Sequence, residues 1–266
     1  MGAHSRSPRT DDARSNGQHF LRSRLIAAEL VTAAGIDPAD HVVEIGAGAG
    51  RLTLPLAERA GLVTAVELDP ALVERLRRHL GRRPNVRIVA DDILRVPLPD
   101  DAWRTFGNIP FALTTAILRR LLDDPGGPLR RADLLLQLEA ARKRAAVMPG
   151  TLLSLGWAPW WTCALERRVP RLAFEPPPAV DAGLLRITRR EPALLPVAER
   201  SAYVSLLRTA FAHASWPARR SLRGRVAPLA WKRLARERGF PVDARPTQLD
   251  VWDWVAVFKI AGTGAR

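Results

Sequence analysis

Asn108-Ile109-Pro110-Phe111 combines the groups that methylation of an exocyclic base amine requires. The Asn108 amide and the neighbouring Ile109 carbonyl can accept hydrogen bonds from an NH2 group. Pro110 fixes the backbone that carries them, and the Phe111 ring offers a face to a base drawn out of its stack. A buried turn closed by a packed phenylalanine would read the same way, so the blocks upstream decide its weight. Gly46-Ala47-Gly48-Ala49-Gly50 joins a strand-like run to a helix-like one, where glycines let the backbone approach a ligand without Cβ clashes. The spacing is Gly-x-Gly-x-Gly. A pyrophosphate-gripping loop places its third glycine one residue later, which speaks against a nicotinamide cofactor. Glu67, 17 residues beyond Gly50, can accept from both hydroxyls of a ribose. Asp91-Asp92 could accept from an adenine amine. Each acid alone could instead meet a helix dipole at an N-terminus. Three strand ends in this order point to a nucleoside cofactor lying across them.

Elements that could position these residues are legible from periodicity. The spacing predicts a helix over Leu21–Ala34, a strand over His41–Ile45 and a helix from Leu52 to Arg59. A strand at Leu62–Glu67, a helix at Pro70–Leu80 and a strand at Val86–Val89 follow. A strand from Trp103 to Gly107 leads into Asn108, with a helix over Thr114–Leu122 behind it. Asp133–Leu138 reads as a central strand, Glu139–Ala146 as a helix, and Thr162–Arg168 and Gly183–Thr188 as later strands. This alternation calls for an α/β fold with a parallel, doubly wound sheet. From Pro196 onward the pattern is helical, with Tyr203, Leu206, Leu207, Ala210 and Phe211 on one face. Thr247 and Asp250 resemble a capping box for a terminal helix carrying Leu249, Trp252 and Val255.

The chain has 266 residues, enough for one large domain and a smaller one. Its 41 Lys and Arg against 27 Asp and Glu give a net charge of +14. Only Lys143, Lys232 and Lys259 are lysines. A coding bias can exchange Lys for Arg but does not create surplus charge, so a polyanionic partner, nucleic acid, is expected. The basic residues gather at Arg142, Lys143 and Arg144, at Arg219, Arg220, Arg223 and Arg225, and from Lys232 to Arg238. Such runs commonly form solvated helix faces; if they bind phosphates, affinity should fall steeply with salt. Cys163 is the single cysteine, which excludes a disulfide framework and a cysteine-based metal cluster. Met1 to Arg14 is polar, and no long apolar run suggests a membrane span. A soluble cytoplasmic monomer without membrane or metal is expected.

Taken together, these blocks resemble the Erm family of 23S ribosomal RNA adenine-N6 methyltransferases, and its relatives, the KsgA-type small-subunit rRNA dimethyltransferases. Gly17-Gln18-His19-Phe20-Leu21 is similar to the family's opening Gln-Asn-Phe-Leu block, with His19 in place of Asn. Phe174-Glu175-Pro176-Pro177-Pro178-Ala179-Val180-Asp181 with Arg189-Arg190 is similar to its late Pro-rich segment. Asn-Ile-Pro-Phe, where KsgA-type proteins usually read Asn-Leu-Pro-Tyr, and the tryptophans from Trp157 to Trp161 resemble actinobacterial Erm proteins. The resemblance implies a Rossmann-like S-adenosylmethionine-dependent catalytic domain over residues 16–190. A flexible basic tail over 1–15 would precede it, and a helical RNA-binding domain over 191–266 would follow. It implies that Glu67 holds the cofactor ribose, Asp92 its adenine, and Gly46 and Gly48 leave room for its methionine part, with Gln18, His19, Leu21 and Asn108 nearby. Asn108, Ile109, Pro110 and Phe111 would hold the target adenine of 23S rRNA. Arg142, Lys143, Arg144, Arg219, Arg220 and Arg223 would hold RNA. The implied activity is adenine N6-methylation conferring macrolide–lincosamide–streptogramin-type resistance. KsgA-like dimethylation, or a noncatalytic RNA-binding protein on the same scaffold, stays open as an alternative.

Overall fold

The computed structural model describes residues 19–146, 148 and 150–262. The tail expected at 1–15 and Gln18 lie outside them. The described chain divides into two compact units. One runs to Arg142 and takes in Ala164–Ile187; the other comprises Lys143–Cys163 and the chain from Thr188 onward. Lys143–Cys163, assigned from sequence to the catalytic domain, groups instead with the helices.

The strands of the chain are β1 (Phe20–Leu21), β2 (His41–Ile45), β3 (Leu62–Glu67), β4 (Val86–Ala90), β5 (Trp103–Asn108), β6 (Leu129–Gln137), β7 (Trp161–Val169), β8 (Phe174–Glu175) and β9 (Ala182–Arg189). β2 pairs in parallel with β3 on one side and β5 on the other; β3 pairs likewise with β4, and β5 with β6. The sheet order is β4-β3-β2-β5-β6-β9-β7. Winding therefore reverses between β2 and β5. In open α/β sheets a crevice opens at the carboxyl ends of the strands at such a reversal. Ile45 pairs with Gly107, so Gly46 and Asn108 leave the sheet at its edge as neighbours. Val42, Val43, Leu134, Leu135 and Leu136 are all buried, as strands covered on both faces require.

Helices of this unit are α1 (Arg24–Ala33), α2 (Thr53–Ala57), α3 (Pro70–Leu80), α4 (Thr114–Leu122) and α5 (Leu138–Ala145), the last running past Arg142. α3 and α4 match the ranges expected from spacing. Asp69 caps α3 by accepting from the Ala71 and Leu72 amides, with Pro70 in its first turn. α1 starts at Arg24 rather than Leu21, because Ser23 caps it and Leu21 belongs to β1. β1 pairs antiparallel with β8, Leu21 opposite Phe174. Two-residue strands carry no period to read. Midway along β6 the buried Asp133 accepts from Arg131 Nε at 2.7 Å and Arg186 Nε at 2.9 Å, with Arg104 at 3.8 Å. Paired this way, a buried carboxylate is tolerated.

The second unit holds α6 (Leu152–Trp157), α7 (Arg200–Phe211), α8 (Ala218–Ser221), α9 (Pro228–Arg238) and α10 (Val251–Gly262). Tyr203, Leu206, Leu207 and Ala210 form the buried face of α7 as expected. Tyr203 meets Trp160 and Phe258 edge-on at 6.0 and 5.6 Å. The terminal capping pair is Asp250–Asp253, each carboxylate accepting the other's amide, not Thr247–Asp250. That shift of register buries Trp254 and leaves Trp252 half exposed. Among the described residues no helix is long and apolar enough to cross a membrane.

Candidate active site

A cleft of about 730 Å³ opens at the carboxyl ends of β2, β3, β4 and β5. Of the residues singled out from sequence it gathers His19, Gly46, Glu67, Asp92 and the whole of Asn108–Phe111. Gly46 and Gly48 adopt left-handed φ of 71° and 56°, a region that disfavours side chains. A Cβ on Gly48 would lie 2.9 Å from the Phe20 ring, so that glycine lets the aromatic close over the loop. Phe20, which lines the cleft, was not singled out. Its signal was an aromatic next to the His19 position.

Glu67 is tied down by three backbone amides. Oε2 accepts from Gly48 at 2.7 Å, and Oε1 from Leu68 and Asp69, both at 2.9 Å. A carboxylate offers about four lone-pair sites, so roughly one is left for a ligand hydroxyl. The side chain thus joins the glycine loop to the β3 end and presents one fixed acceptor, rather than two free ones. Asp92 accepts from the Leu94 amide through Oδ1; its Oδ2 has no partner among the described residues and remains an acceptor. Glycines without side chains, a fixed carboxylate and a second acceptor one strand further fit a nucleoside cofactor.

Beneath the loop, Glu44 is fully buried. Neither of its carboxyl oxygens, nor the Thr53 hydroxyl, makes a well-formed hydrogen bond among the described residues. Burial pushes its carboxyl up to about 8, the neighbouring Thr53 pulls it down, and the charge of Glu67 pushes it up further. Sequence reasoning read Glu44 only as a strand residue. Its place directly before the glycine loop was the available signal.

Asn108 donates from Nδ2 to the His19 carbonyl at 2.5 Å. A carbonyl only accepts, so this contact decides which end of the amide is NH2 and leaves Oδ1 as the free acceptor. His19 is held in turn: its Nδ1 lies 2.8 Å from the Pro176 carbonyl, so that nitrogen carries the proton. The Asn-to-His departure from the family pattern thereby becomes a clamp onto the Pro-rich segment. The Ile109 amide donates to Leu135, and its side chain is buried. Phe111 packs partly against the core, with its ring 5.9 Å from that of His19.

Leu21 does not join this group. It is buried in the core beneath the cleft. Among the basic candidates, Arg142 pairs with Glu139, and Arg219 pairs with Asp243 at 2.6 Å. Arg144 lies over the Trp157 ring and donates to Ser154 at 2.7 Å. Arg220 lies over the Trp216 ring at 3.9 Å. Lys143 and Arg223 have no ion-pair partner among the described residues.

A family model described as ribosomal RNA adenine dimethylase matches residues 10–239. A relative from Corynebacterium diphtheriae named rRNA adenine N-6-methyltransferase is 39% identical over 196 residues, 74% of this chain and 76% of that protein. The mycinamicin-resistance protein MyrB of Micromonospora griseorubida is 35% identical over 247 residues, 92% of this chain and 77% of its own length. The solved structure of the 23S rRNA methyltransferase ErmE superposes with a TM-score of 0.82 at 30% identity, covering 91% of this chain and 99% of that one.

Proposed function

The chain belongs to the ribosomal RNA adenine dimethylase family, and from that premise we propose that it methylates the exocyclic N6 of an adenine in 23S rRNA, using S-adenosylmethionine. Methylation there would confer macrolide–lincosamide–streptogramin-type resistance, in keeping with the mycinamicin-resistance relative. When bound, S-adenosylmethionine supplies an electrophilic methyl group. Glu67, Asp92, Gly46 and Gly48 would hold it, and Phe20 would close over the loop.

The chain's own task is to present the amine. The lone pair of an adenine N6 is delocalised into the ring and is a weak nucleophile. Asn108 Oδ1 and the Ile109 carbonyl accept its two N–H bonds, which turns the nitrogen toward tetrahedral geometry and aims the lone pair. Phe111 stacks on the base, worth on the order of 1–3 kcal/mol, comparable with the cost of unstacking a nucleotide. A methylated arylammonium is acidic enough to lose its proton to water, so positioning outweighs base catalysis. The single observation that carries this reading is the Asn108–His19 hydrogen bond, which leaves an acceptor free for an amine. An rRNA substrate supports action in the cytoplasm, where ribosomes are found.

The test is transfer of labelled methyl to unmodified large- and small-subunit rRNA, offered separately, with the modified adenines mapped. Label in 23S rRNA, lost about a hundredfold in Asn108→Ala, is the expected result. Label confined to small-subunit rRNA would move the protein to the KsgA-type activity. Label in neither would refute methyl transfer to rRNA.

A further inference from the structure

In the helical unit a cavity of about 590 Å³ opens beside α8 and α9, lined among others by Arg220, Arg223, Trp231 and Lys232. Its charges are unequal. Arg219, on the same wall, is neutralised by Asp243, whereas Arg223 and Lys232 are exposed and have no ion-pair partner among the described residues. Arg220 is committed differently: its guanidinium lies 3.9 Å from the centre of the Trp216 ring. The His213 imidazole stacks on the same indole at 4.0 Å and 23°. The indole is therefore enclosed between the two, the stack presents the outer plane of Arg220, and Trp216 keeps 36% of its surface in water.

Indole and guanidinium planes are the groups on which unpaired bases stack, whatever their sequence. A paired helix hides those base faces and offers only its backbone. An acidic peptide would use the two free cations but gain little from stacked planes.

We propose that this stack and the adjoining cavity hold an unpaired nucleotide of the RNA substrate, its base stacked on the Arg220 guanidinium that Trp216 backs and its phosphate taken by Arg223 and Lys232. This nucleotide is distinct from the adenine at Phe111, and the proposal rests on the rRNA reading above. It shifts the RNA contact from Arg219, which is already paired, to Lys232 and to Trp216, which charge runs alone do not select.

The test compares binding of a labelled single-stranded RNA and its fully paired duplex to the full chain and to Trp216→Ala, Trp216→Phe and Arg223→Ala/Lys232→Ala variants. Trp216→Ala is expected to weaken single-strand binding about ten- to a hundredfold, with Trp216→Phe restoring most of it and duplex binding little changed. The double variant is expected to flatten the salt dependence by about 1.4 in log–log slope. On rRNA, the KM should rise in Trp216→Ala with kcat and S-adenosylmethionine affinity unchanged. Equal loss for both RNAs, or none for either, would overturn the proposal. So would a Trp216-dependent preference for a polyglutamate peptide or for phosphatidylglycerol vesicles over RNA. Wild-type protein that binds single strands through Trp216 but labels no rRNA would sink the enzymatic reading and leave this site standing. Intact methylation with unchanged KM in Trp216→Ala would do the reverse.

Discussion

Replacing Glu44 with glutamine should abolish a pH dependence that the fold builds into the strand beneath the glycine loop. The Glu44 carboxyl is fully buried and raised from 4.5 to about 8. A carboxyl raised in the folded state favours folding while protonated in both states. As pH climbs past its unfolded value the unfolded chain ionises first, so stability falls. The fall continues until the folded group also ionises near 8, and then levels off. Between about pH 5.5 and about pH 8.5 the contribution lost is on the order of 3 kcal/mol, at about 1.4 kcal/mol for each tenfold difference in proton affinity between the two states. Urea unfolding of wild type and Glu44→Gln at both pH values isolates this contribution, because all other titrating groups are shared. The stability difference between the two proteins should change by that amount, wild type losing ground as pH rises. Parallel curves would refute the assignment of Glu44 as a buried neutral acid. Because β2 runs straight into Gly46, S-adenosylmethionine affinity should fall in wild type only as pH passes about 8, where the folded Glu44 ionises, and not in the variant.

Glu67→Gln exchanges a carboxylate that gathers three amides for a side chain with one acceptor, setting an NH2 against an N–H. S-adenosylmethionine binding, measured by calorimetry, should weaken roughly ten- to a hundredfold, as loss of a charged hydrogen bond requires; an unchanged Kd would contradict the placement of the cofactor. Asp133→Ala strands Arg131 and Arg186 around an empty centre and should lower unfolding free energy by about 3–5 kcal/mol. A loss under about 1 kcal/mol would mean that water replaces the carboxylate at little cost.

Local chemistry made much of this molecule legible before any coordinates. Strand β3 and helices α3 and α4 stand where their hydrophobic period places them. Ile45–Gly46 and Glu67–Leu68 mark their strand ends through a change from β-branched or apolar runs to glycine and acid. Where reading failed, the missing information was not local. Leu21 reads as the first turn of a helix until Phe174, far along the chain, pairs with it. Asp250 reads as the third residue of a capping box until Asp253 returns its hydrogen bond. Lys143–Cys163 follows the catalytic strands in sequence yet packs with helices that come much later.

By itself the sequence determined the order of the cofactor and base-holding blocks, the parallel sheet that carries them and the surplus of positive charge, because each is written in residue type and short-range spacing. Tertiary structure alone decided which way Asn108 faces, that Glu67 offers one acceptor and not two, that Glu44 is a fully buried acid, and which arginines are already paired. Those properties depend on which atoms the folded backbone brings within hydrogen-bond distance, from the next residue at Glu67 to one 89 residues away at Asn108. Spacing along the chain cannot encode which partner arrives first at a lone pair or a charge; the packed fold settles that.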